Sequence, residues 1–324
     1  MIGVVPGSSA DTVDVAVGDL AIEGDVVRLD PVHHARHTTA TSDSARAGLL
    51  EEVAARHGGE LVGWLDRPAP RDRRPTAPAP DPAWIAEATG LTAVADLAVP
   101  GGRGLPPTAV VDALWLRDRV PAAALRVGRV ASATLVTADD VTAVDLGPGT
   151  ALTDVAMTVL TGGRRTRDTD GEFAARGRVR ADLLARLRAD VGRPGSTDHD
   201  RAHLDRVAEG LTVQAEDFLA TLTAFTADLI ADGCAGTRLV VGSGGGLRNP
   251  VLTRLLAERI PLRASEEFGL PSAATRPYAA AVLGFLIRRG ARVDLPGPRP
   301  TTTGGGPPTA TVTGLTVGGN RART

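Results

Sequence analysis

Lysine is absent from this chain of 324 residues, and all 36 residues of the Lys and Arg classes are arginine. A chain without lysine cannot contain the GxxxxGK[ST] phosphate loop, whose lysine contacts the phosphates, and it cannot form a Schiff base with a substrate. Any phosphate chemistry must therefore use backbone N–H groups, hydroxyls, arginine and metal ions.

Cysteine, net charge and long apolar runs are also scarce. The single cysteine, Cys234, excludes an internal disulfide and a cysteine-based zinc site, and we expect it to be a small buried residue. The net charge of −2 gives no electrostatic reason to expect binding to nucleic acid or to an anionic membrane. No apolar run approaches the ~18 residues of a spanning helix, and the opening residues MIGVV do not resemble a signal peptide. We therefore expect a cytoplasmic protein without nucleic-acid or membrane partners.

A strand, a glycine loop and a helix follow one another in residues 238–260, RLVVGSGGGLRNPVLTRLLAERI. Three consecutive glycines, Gly244, Gly245 and Gly246, let the backbone turn tightly and approach a ligand closely. Asn249 is placed to cap the helix, with Pro250 in its first turn. Such a loop before a helix suits a phosphate or the edge of a nucleotide, although a glycine turn is also an ordinary connection between a strand and a helix.

A second glycine turn opens the chain, where apolar runs at residues 2–5 and 13–17 flank PGSSADT. The pattern predicts a β-hairpin with a polar tip. Hydroxyls and carboxylates on such a tip can hold a phosphate and its Mg²⁺, or they can be turn formers only. The polar and glycine residues concerned are Gly7, Ser8, Ser9, Asp11 and Asp14.

An aspartate stands where α/β proteins place chemistry. Residues 126–137 alternate as one long strand, and residues 141–145 predict a second strand that ends at Asp145. The turn Gly147-Pro148-Gly149 follows, and Thr150 is the expected N-cap of the next helix. A carboxylate at the carboxyl end of a strand can act as a general base; the alternative is a turn residue that binds its own loop amides.

Two further segments are assigned no chemistry. His33, His34 and His37 could bind a metal, but no carboxylate accompanies them at ligand spacing, so we expect a solvated turn. Residues 67–82, rich in proline and arginine, predict a surface loop.

Four separated motifs occur in the order found in one family: GSSADTVD at 7–14, VDLGPGTALTD at 144–154, VVGSGGGLRNPVLTRL at 240–255 and EEFGLPSAA at 266–274. Together they resemble the anhydro-N-acetylmuramic acid kinases of the actin, hexokinase and Hsp70 superfamily. The resemblance implies an α/β, two-domain actin-like ATPase (ribonuclease H-like) fold with a nucleotide cleft between the domains. We place the domains at 1–120, with the first phosphate loop, and 121–324, with the catalytic aspartate and the adenosine-side loop.

The resemblance also implies an activity. The family would use ATP and Mg²⁺ on a small amino sugar, 1,6-anhydro-N-acetylmuramic acid, in cell-wall recycling, as a possible homodimer. Asp145 would activate the water that opens the anhydro bond, while O6 of the sugar takes the γ-phosphoryl group. The sugar would lie near Asp96 and Arg276. The residues that the resemblance places around ATP are Gly7, Ser8, Ser9, Ala10, Asp11, Thr12, Val13, Asp14, Gly147, Gly149, Gly244, Gly245, Gly246 and Asn249.

The sequence departs from the family pattern near the sugar and the phosphates. The HGQT segment of the family has no counterpart, and its NIGGIAN segment matches RVGRVAS, where Arg129 replaces a glycine. A family glutamate in the last helix corresponds to Arg276. These differences favour a nucleotide-binding relative without turnover, whereas Asp11, Asp145 and GSGGG favour an enzyme. Three interpretations stay open: the anhydro-sugar kinase, a kinase for another sugar, and a binding protein.

Overall fold

A computed structural model describes residues 1–7, 12–38, 42–65, 82–191, 201–297 and 310–318. Four residues of the expected first phosphate loop, Ser8, Ser9, Ala10 and Asp11, lie outside these ranges, as does nearly all of the loop predicted at 67–82.

Strands and helices alternate along the chain. The first part contains β1 (Ile2–Pro6), β2 (Thr12–Glu23), β3 (Val26–Thr38), α1 (Asp43–His57), β4 (Leu61–Trp64), α2 (Pro82–Thr89), β5 (Thr92–Val94) and α3 (Pro107–Leu116). The middle contains β6 (Ala122–Val127), β7 (Ala131–Val136), β8 (Val141–Gly147), α4 (Ala151–Leu160), α5 (Glu172–Arg176), α6 (Ala181–Asp190), α7 (Arg201–Ala208), α8 (Ala215–Gly233), β9 (Leu239–Ser243), α9 (Pro250–Ala257) and β10 (Leu262–Ala264). The last elements are α10 (Thr275–Arg288), β11 (Ala291–Val293), β12 (Ala310–Val312) and β13 (Gly314–Val317). No helix in the described ranges is both long enough and apolar enough to cross a membrane.

The first sheet has the strand order β13-β3-β2-β1-β4-β5. β1, β2 and β3 pair antiparallel in sequence, and β4 and β5 then add in parallel on the other side of β1. Alternate residues of β1 and β2, such as Val4 and Val15, are buried on one face, where Leu50 and Val53 of α1 cover them. This period-two pattern is what packs the sheet against its helix.

The second sheet repeats the same order, β10-β9-β6-β7-β8. β9 pairs parallel with both β6 and β10, whereas β6, β7 and β8 follow one another through short turns, which only antiparallel neighbours allow. Counted along the chain, the five core strands of each sheet lie in the order 3-2-1-4-5. The predicted α/β class and the ribonuclease H-like arrangement are thereby confirmed, and the arrangement occurs twice.

Contacts between Cα atoms divide the chain into two compact units. One comprises Met1–Asp118, Val136–Thr142 and Ser265–Thr324, and the other comprises Arg119–Leu135 and Ala143–Ala264. The first boundary lies beside the expected residue 120. The C-terminal residues differ from the expected domain 121–324, because α10 lies on β1 and β4, and β13 pairs with β3.

The long strand expected at 126–137 was a wrong prediction. The Gly128 N–H donates to the Val130 carbonyl at 3.2 Å, so the chain reverses there and forms β6 and β7 instead of one strand. Residues 126–137 alternate in polarity across this turn, and Gly128 was the one visible break. Residues 310–317 contain two strands, β12 and β13.

The histidine cluster lies on β3 and not on a solvated turn. The ring of His33 stacks on that of His57 from α1, with centroids 3.9 Å apart, and the Tyr278 hydroxyl donates to the His33 carbonyl. Burial, and then the charges of His57, His34, His37 and Arg56, lower the pKa of His33. Among the described residues, no group of three His, Cys, Asp or Glu could hold a metal ion.

Glycines allow α10 to lie directly on β1 and β4. A Cβ on Gly3 would overlap the Pro277 carbonyl, and one on Gly63 would overlap the Ala280 carbonyl. On the helix side, a Cβ on Gly284 would lie 3.0 Å from the Cα of Gly63. The backbone-to-backbone approach therefore leaves no room for side chains at these positions.

We predict that Gly63→Ala lowers the free energy of unfolding by about 1–3 kcal/mol, because the added methyl must push α10 from the sheet. Gly48→Ala is the matched control. Gly48 is an exposed helical residue of α1 with nothing within 4 Å of its would-be Cβ, so this change should stabilise by about 0.5–1 kcal/mol. Urea unfolding measures both; equal effects would contradict the packing of α10.

Candidate active site

Asp145 lies near the carboxyl end of β8, two residues before Gly147. Its side chain is exposed, and within the described residues the carboxylate has no hydrogen-bond or ion-pair partner. The alternative interpretation, a turn residue that binds its own loop amides, is therefore not what the structure shows. An exposed carboxylate without a partner is available to accept a proton or to bind a ligand.

The turn after Asp145 is held by backbone hydrogen bonds. Thr150 N–H donates to the Gly128 carbonyl at 2.9 Å, and Ala151 N–H donates to the Arg129 carbonyl at 3.1 Å. Gly149 has a φ of 48°, and a Cβ there would overlap the Gly128 carbonyl. The turn from Gly147 to Thr150 therefore packs directly on the turn between β6 and β7.

The helix α8 fixes the same turn from its other side. The buried hydroxyl of Thr226 donates to the Gly149 carbonyl at 3.2 Å. Nothing in the sequence pointed to Thr226, because a threonine inside a long helix is usually a packing residue. Its role depends on a contact between residues 77 positions apart.

Thr150 does not cap α4 in the expected way. Its backbone has φ −91° and ψ −4°, and its side chain makes no capping hydrogen bond. The hydroxyl instead donates to Asp154 Oδ2 at 3.0 Å. Burial raises the pKa of Asp154, and the Thr150 hydroxyl and the charges of Arg129 and Arg167 act in the opposite direction.

The loop predicted to bind the adenosine side of the nucleotide begins where β9 ends. The buried Ser243 hydroxyl donates to the Leu125 carbonyl at 3.2 Å, which ties the carboxyl ends of β9 and β6 together. Gly244 has a φ of 99°, and its would-be Cβ lies 2.6 Å from the Val127 carbonyl. A Cβ on Gly246 would overlap the Val127 side chain. Both glycines are thus required by the protein's own packing.

Gly245 differs from its two neighbours. Among the described residues, its would-be Cβ meets nothing closer than the Arg248 guanidinium, at 3.9 Å. The protein itself therefore leaves free space beside Gly245, on the exposed side of the loop.

Asn249 begins α9 as the sequence predicted. Its Oδ1 accepts hydrogen bonds from Val251 N–H at 2.9 Å and Leu252 N–H at 3.2 Å, and Pro250 occupies the first turn. The side-chain oxygen is used by the cap. Asn249 therefore acts on the loop by fixing the start of the helix.

Three glycine turns thus meet at one edge of the second sheet. β6 and β9 are parallel, with Arg126 paired to Ser243, so the Gly128 turn and the Gly244 loop leave the sheet side by side. The Gly147–Thr150 turn is bonded to the first of these, and Asp145 lies two residues before it. All of these residues belong to one compact unit.

The first hairpin has the geometry that its sequence predicted. Gly7 N–H donates to the Thr12 carbonyl at 2.8 Å and closes the ends of the loop. Val13 is buried in the core, so only its backbone is available to a ligand. Arg36 donates to both carboxylate oxygens of Asp14, at 2.6 and 2.9 Å, so Asp14 is engaged by a cross-strand ion pair.

The two residues expected near a sugar lie in the first unit. Asp96 is exposed after β5 and accepts a hydrogen bond from Ala98 N–H at 3.1 Å. Arg276 is half-buried in the first turn of α10.

Cys234 is buried, and burial raises the pKa of its thiol to about 11, which makes it a poor nucleophile, in agreement with the expectation of a structural role.

The duplicated 3-2-1-4-5 sheet, with glycine turns at the carboxyl edge of its second copy, is the arrangement of the two-domain actin-like ATPase fold. A solved structure agrees with this fold. Component A of the (R)-2-hydroxyglutaryl-CoA dehydratase of Acidaminococcus fermentans superposes with a TM-score of 0.50 at 13% identity, over 89% of this chain and 96% of that one.

Sequence comparison gives the family. The family model described as anhydro-N-acetylmuramic acid kinase matches residues 55–314. A protein of that name from Streptomyces avermitilis is 38% identical, with 94% of this chain and 91% of the relative aligned. Another, from Streptomyces coelicolor, is 36% identical, over 94% of this chain and 90% of the relative. The chain belongs to the anhydro-N-acetylmuramic acid kinase family.

We predict that Gly149→Ala destabilises the protein more than Gly162→Ala does. Both glycines have positive φ, 48° and 60°, but only Gly149 is packed against another backbone, since nothing lies within 4 Å of a Cβ on Gly162. The shared cost of the left-handed backbone is roughly 1–2 kcal/mol, and overpacking should add about 1–3 kcal/mol for Gly149→Ala alone. Chemical unfolding of both variants measures the difference; equal losses would show that the two turns are not in close contact.

Proposed function

We propose that this protein is an ATP-dependent kinase that converts 1,6-anhydro-N-acetylmuramic acid into N-acetylmuramic acid 6-phosphate. The observation that carries the proposal is Asp145, an exposed carboxylate without a partner among the described residues, beside three glycine turns in a chain of this family. The need for ATP and the origin of the sugar in the cell wall place the reaction in cytoplasmic peptidoglycan recycling. The family resemblance adds the expectation of a homodimer.

The glycine turns supply the phosphate-binding part of the proposal. Backbone N–H groups at glycine turns can bind phosphate without any lysine, and this chain has no lysine. We assign the nucleotide to the edge formed by Gly147, Gly149 and the loop Gly244 to Gly246, with Asn249 fixing that loop. The role of residues 7–14 as a first phosphate loop remains a prediction from the resemblance.

In the proposed reaction, Asp145 acts as the general base. The carboxylate takes a proton from a water molecule, whose oxygen bonds to C1 of the sugar. The bond between C1 and O6 breaks, O6 bonds to the γ-phosphorus of ATP, and ADP leaves. The protein's share is positioning and charge stabilisation, as in other phosphoryl transfers.

Mg²⁺ fits this site as a companion of the nucleotide. Magnesium at kinase sites is bound by substrate phosphates and by one or two carboxylates, not by an all-protein cage. Asp14 is held by Arg36 and is not free for this purpose, and Asp11, which the sequence places on the same turn, lies outside the described residues. When bound, Mg²⁺ would neutralise charge on the phosphates.

We predict that Gly245→Ala folds normally and weakens ATP binding by about tenfold or more. The protein leaves space for this methyl, so its cost arises only from a ligand that approaches the loop. Calorimetric titration with ATP and Mg²⁺ measures the affinity, and Gly48→Ala in α1 serves as the control. Unchanged affinity would place the nucleotide elsewhere.

We predict that Asp145→Asn retains ATP affinity and loses turnover by ~10²–10⁴-fold, the typical effect of removing a general base. The assay follows ADP and sugar 6-phosphate in reactions with ATP, Mg²⁺ and the anhydro sugar. Asp139→Asn, at an exposed site in the turn between β7 and β8, is the matched control and should keep wild-type turnover.

The same assay separates the remaining interpretations. Wild-type protein that binds ATP but phosphorylates no anhydro sugar would point to a binding protein or to another sugar. Equal turnover by wild type and Asp145→Asn would contradict the role given to Asp145.

A further inference from the structure

Arg129 has a fixed backbone and a free side chain. Its carbonyl accepts the Ala151 N–H hydrogen bond at 3.1 Å, which holds it at the edge where the glycine turns meet. Its side chain is exposed at the tip of the turn between β6 and β7, and the described part of the chain offers it no hydrogen bond or ion pair. The position is rigid while the guanidinium remains available.

The charges of Arg129 and of a second unpaired arginine, Arg167, both act on the carboxylate of Asp154. Arg167 follows α4 in the chain, is exposed, and likewise has no hydrogen bond or ion pair within the described ranges. The charges of both arginines favour the ionised form of Asp154, which Thr150 holds through its hydroxyl. Two guanidinium charges thus act on this one carboxylate.

Neighbouring arginines with structural roles have partners. Arg165 donates twice to Glu172, at 2.9 Å, and Arg176 donates to the other oxygen of the same carboxylate. Arg129 forms no such ion pair with a described residue. It lies against the first turn of α4, where the helix dipole opposes a cation, so stability does not account for it.

We propose that Arg129 binds the phosphate groups of the nucleotide. This rests on the proposed function and deepens it. A guanidinium forms charge-assisted, bidentate hydrogen bonds to phosphate, and it reaches further from the turn than a backbone N–H can. Arginine thereby takes over the contact that a glycine backbone would make at this position.

The test compares ligands that differ in phosphate content. Affinities of the full-length protein for ATP, ADP and adenosine are measured by calorimetry for wild type, Arg129→Gln and Arg129→Lys. Arg164→Gln is the matched control, because Arg164 is exposed and its Nε donates only to the nearby Thr161 carbonyl. Arg129→Gln should lose about tenfold or more in ATP affinity, the effect of one hydrogen bond to a charged group, and none in adenosine affinity.

The remaining outcomes are also decisive. Arg129→Lys should recover part of the ATP affinity, and Arg164→Gln should resemble wild type. Unchanged or higher ATP affinity in Arg129→Gln would overturn the inference, because the arginine would then contribute nothing to binding or would hinder it. An equal loss of adenosine affinity would also overturn it, because the arginine would then have a structural role. If wild type itself binds no ATP, the proposed function fails as well, which distinguishes the two failures.

Discussion

The contact between two backbone turns is the constraint on which the candidate active site depends. Thr150 and Ala151 donate to the carbonyls of Gly128 and Arg129, and this is possible only because Gly149 carries no side chain. The contact joins the segment after Asp145 to the turn of the neighbouring hairpin. Thr226 of α8 adds a third hydrogen bond to this turn, through the Gly149 carbonyl. The position of Asp145 therefore depends on several elements of the second unit and not on its own strand alone.

Much of the fold was predictable because local signals agreed with the tertiary arrangement. The cap at Asn249, the strand before the three glycines and the first hairpin were read from residues that interact within a few positions. The turn at Gly128 was missed because polar and apolar residues alternate on both sides of it, over residues 126–137, so the pattern resembled one strand. The placement of 265–324 also could not be read locally, since it depends on Gly3 and Gly63 accepting α10 at close range.

The candidate site was predictable to a different degree. Glycine and aspartate left visible signals at Asp145 and Gly244, whereas the contact made by Thr226 spans distant parts of the chain and left none. The sequence also did not distinguish the roles of the three glycines in the loop. Gly244 and Gly246 are required by packing on Val127, whereas the space beside Gly245 is open among the described residues. The arginine that replaces a family glycine suggested a lost phosphate contact, but in the structure Arg129 is an exposed cation beside the proposed phosphate site.

The most direct test of the central claim is the fate of oxygen from water. The protein is incubated with ATP, Mg²⁺ and 1,6-anhydro-N-acetylmuramic acid in H₂¹⁸O, and the products are analysed by mass spectrometry and ³¹P NMR. Because water is proposed to bond to C1 while O6 takes the phosphoryl group, the account predicts one ¹⁸O on C1 of N-acetylmuramic acid 6-phosphate and none in its phosphate. Label in inorganic phosphate without any sugar phosphate would contradict the account.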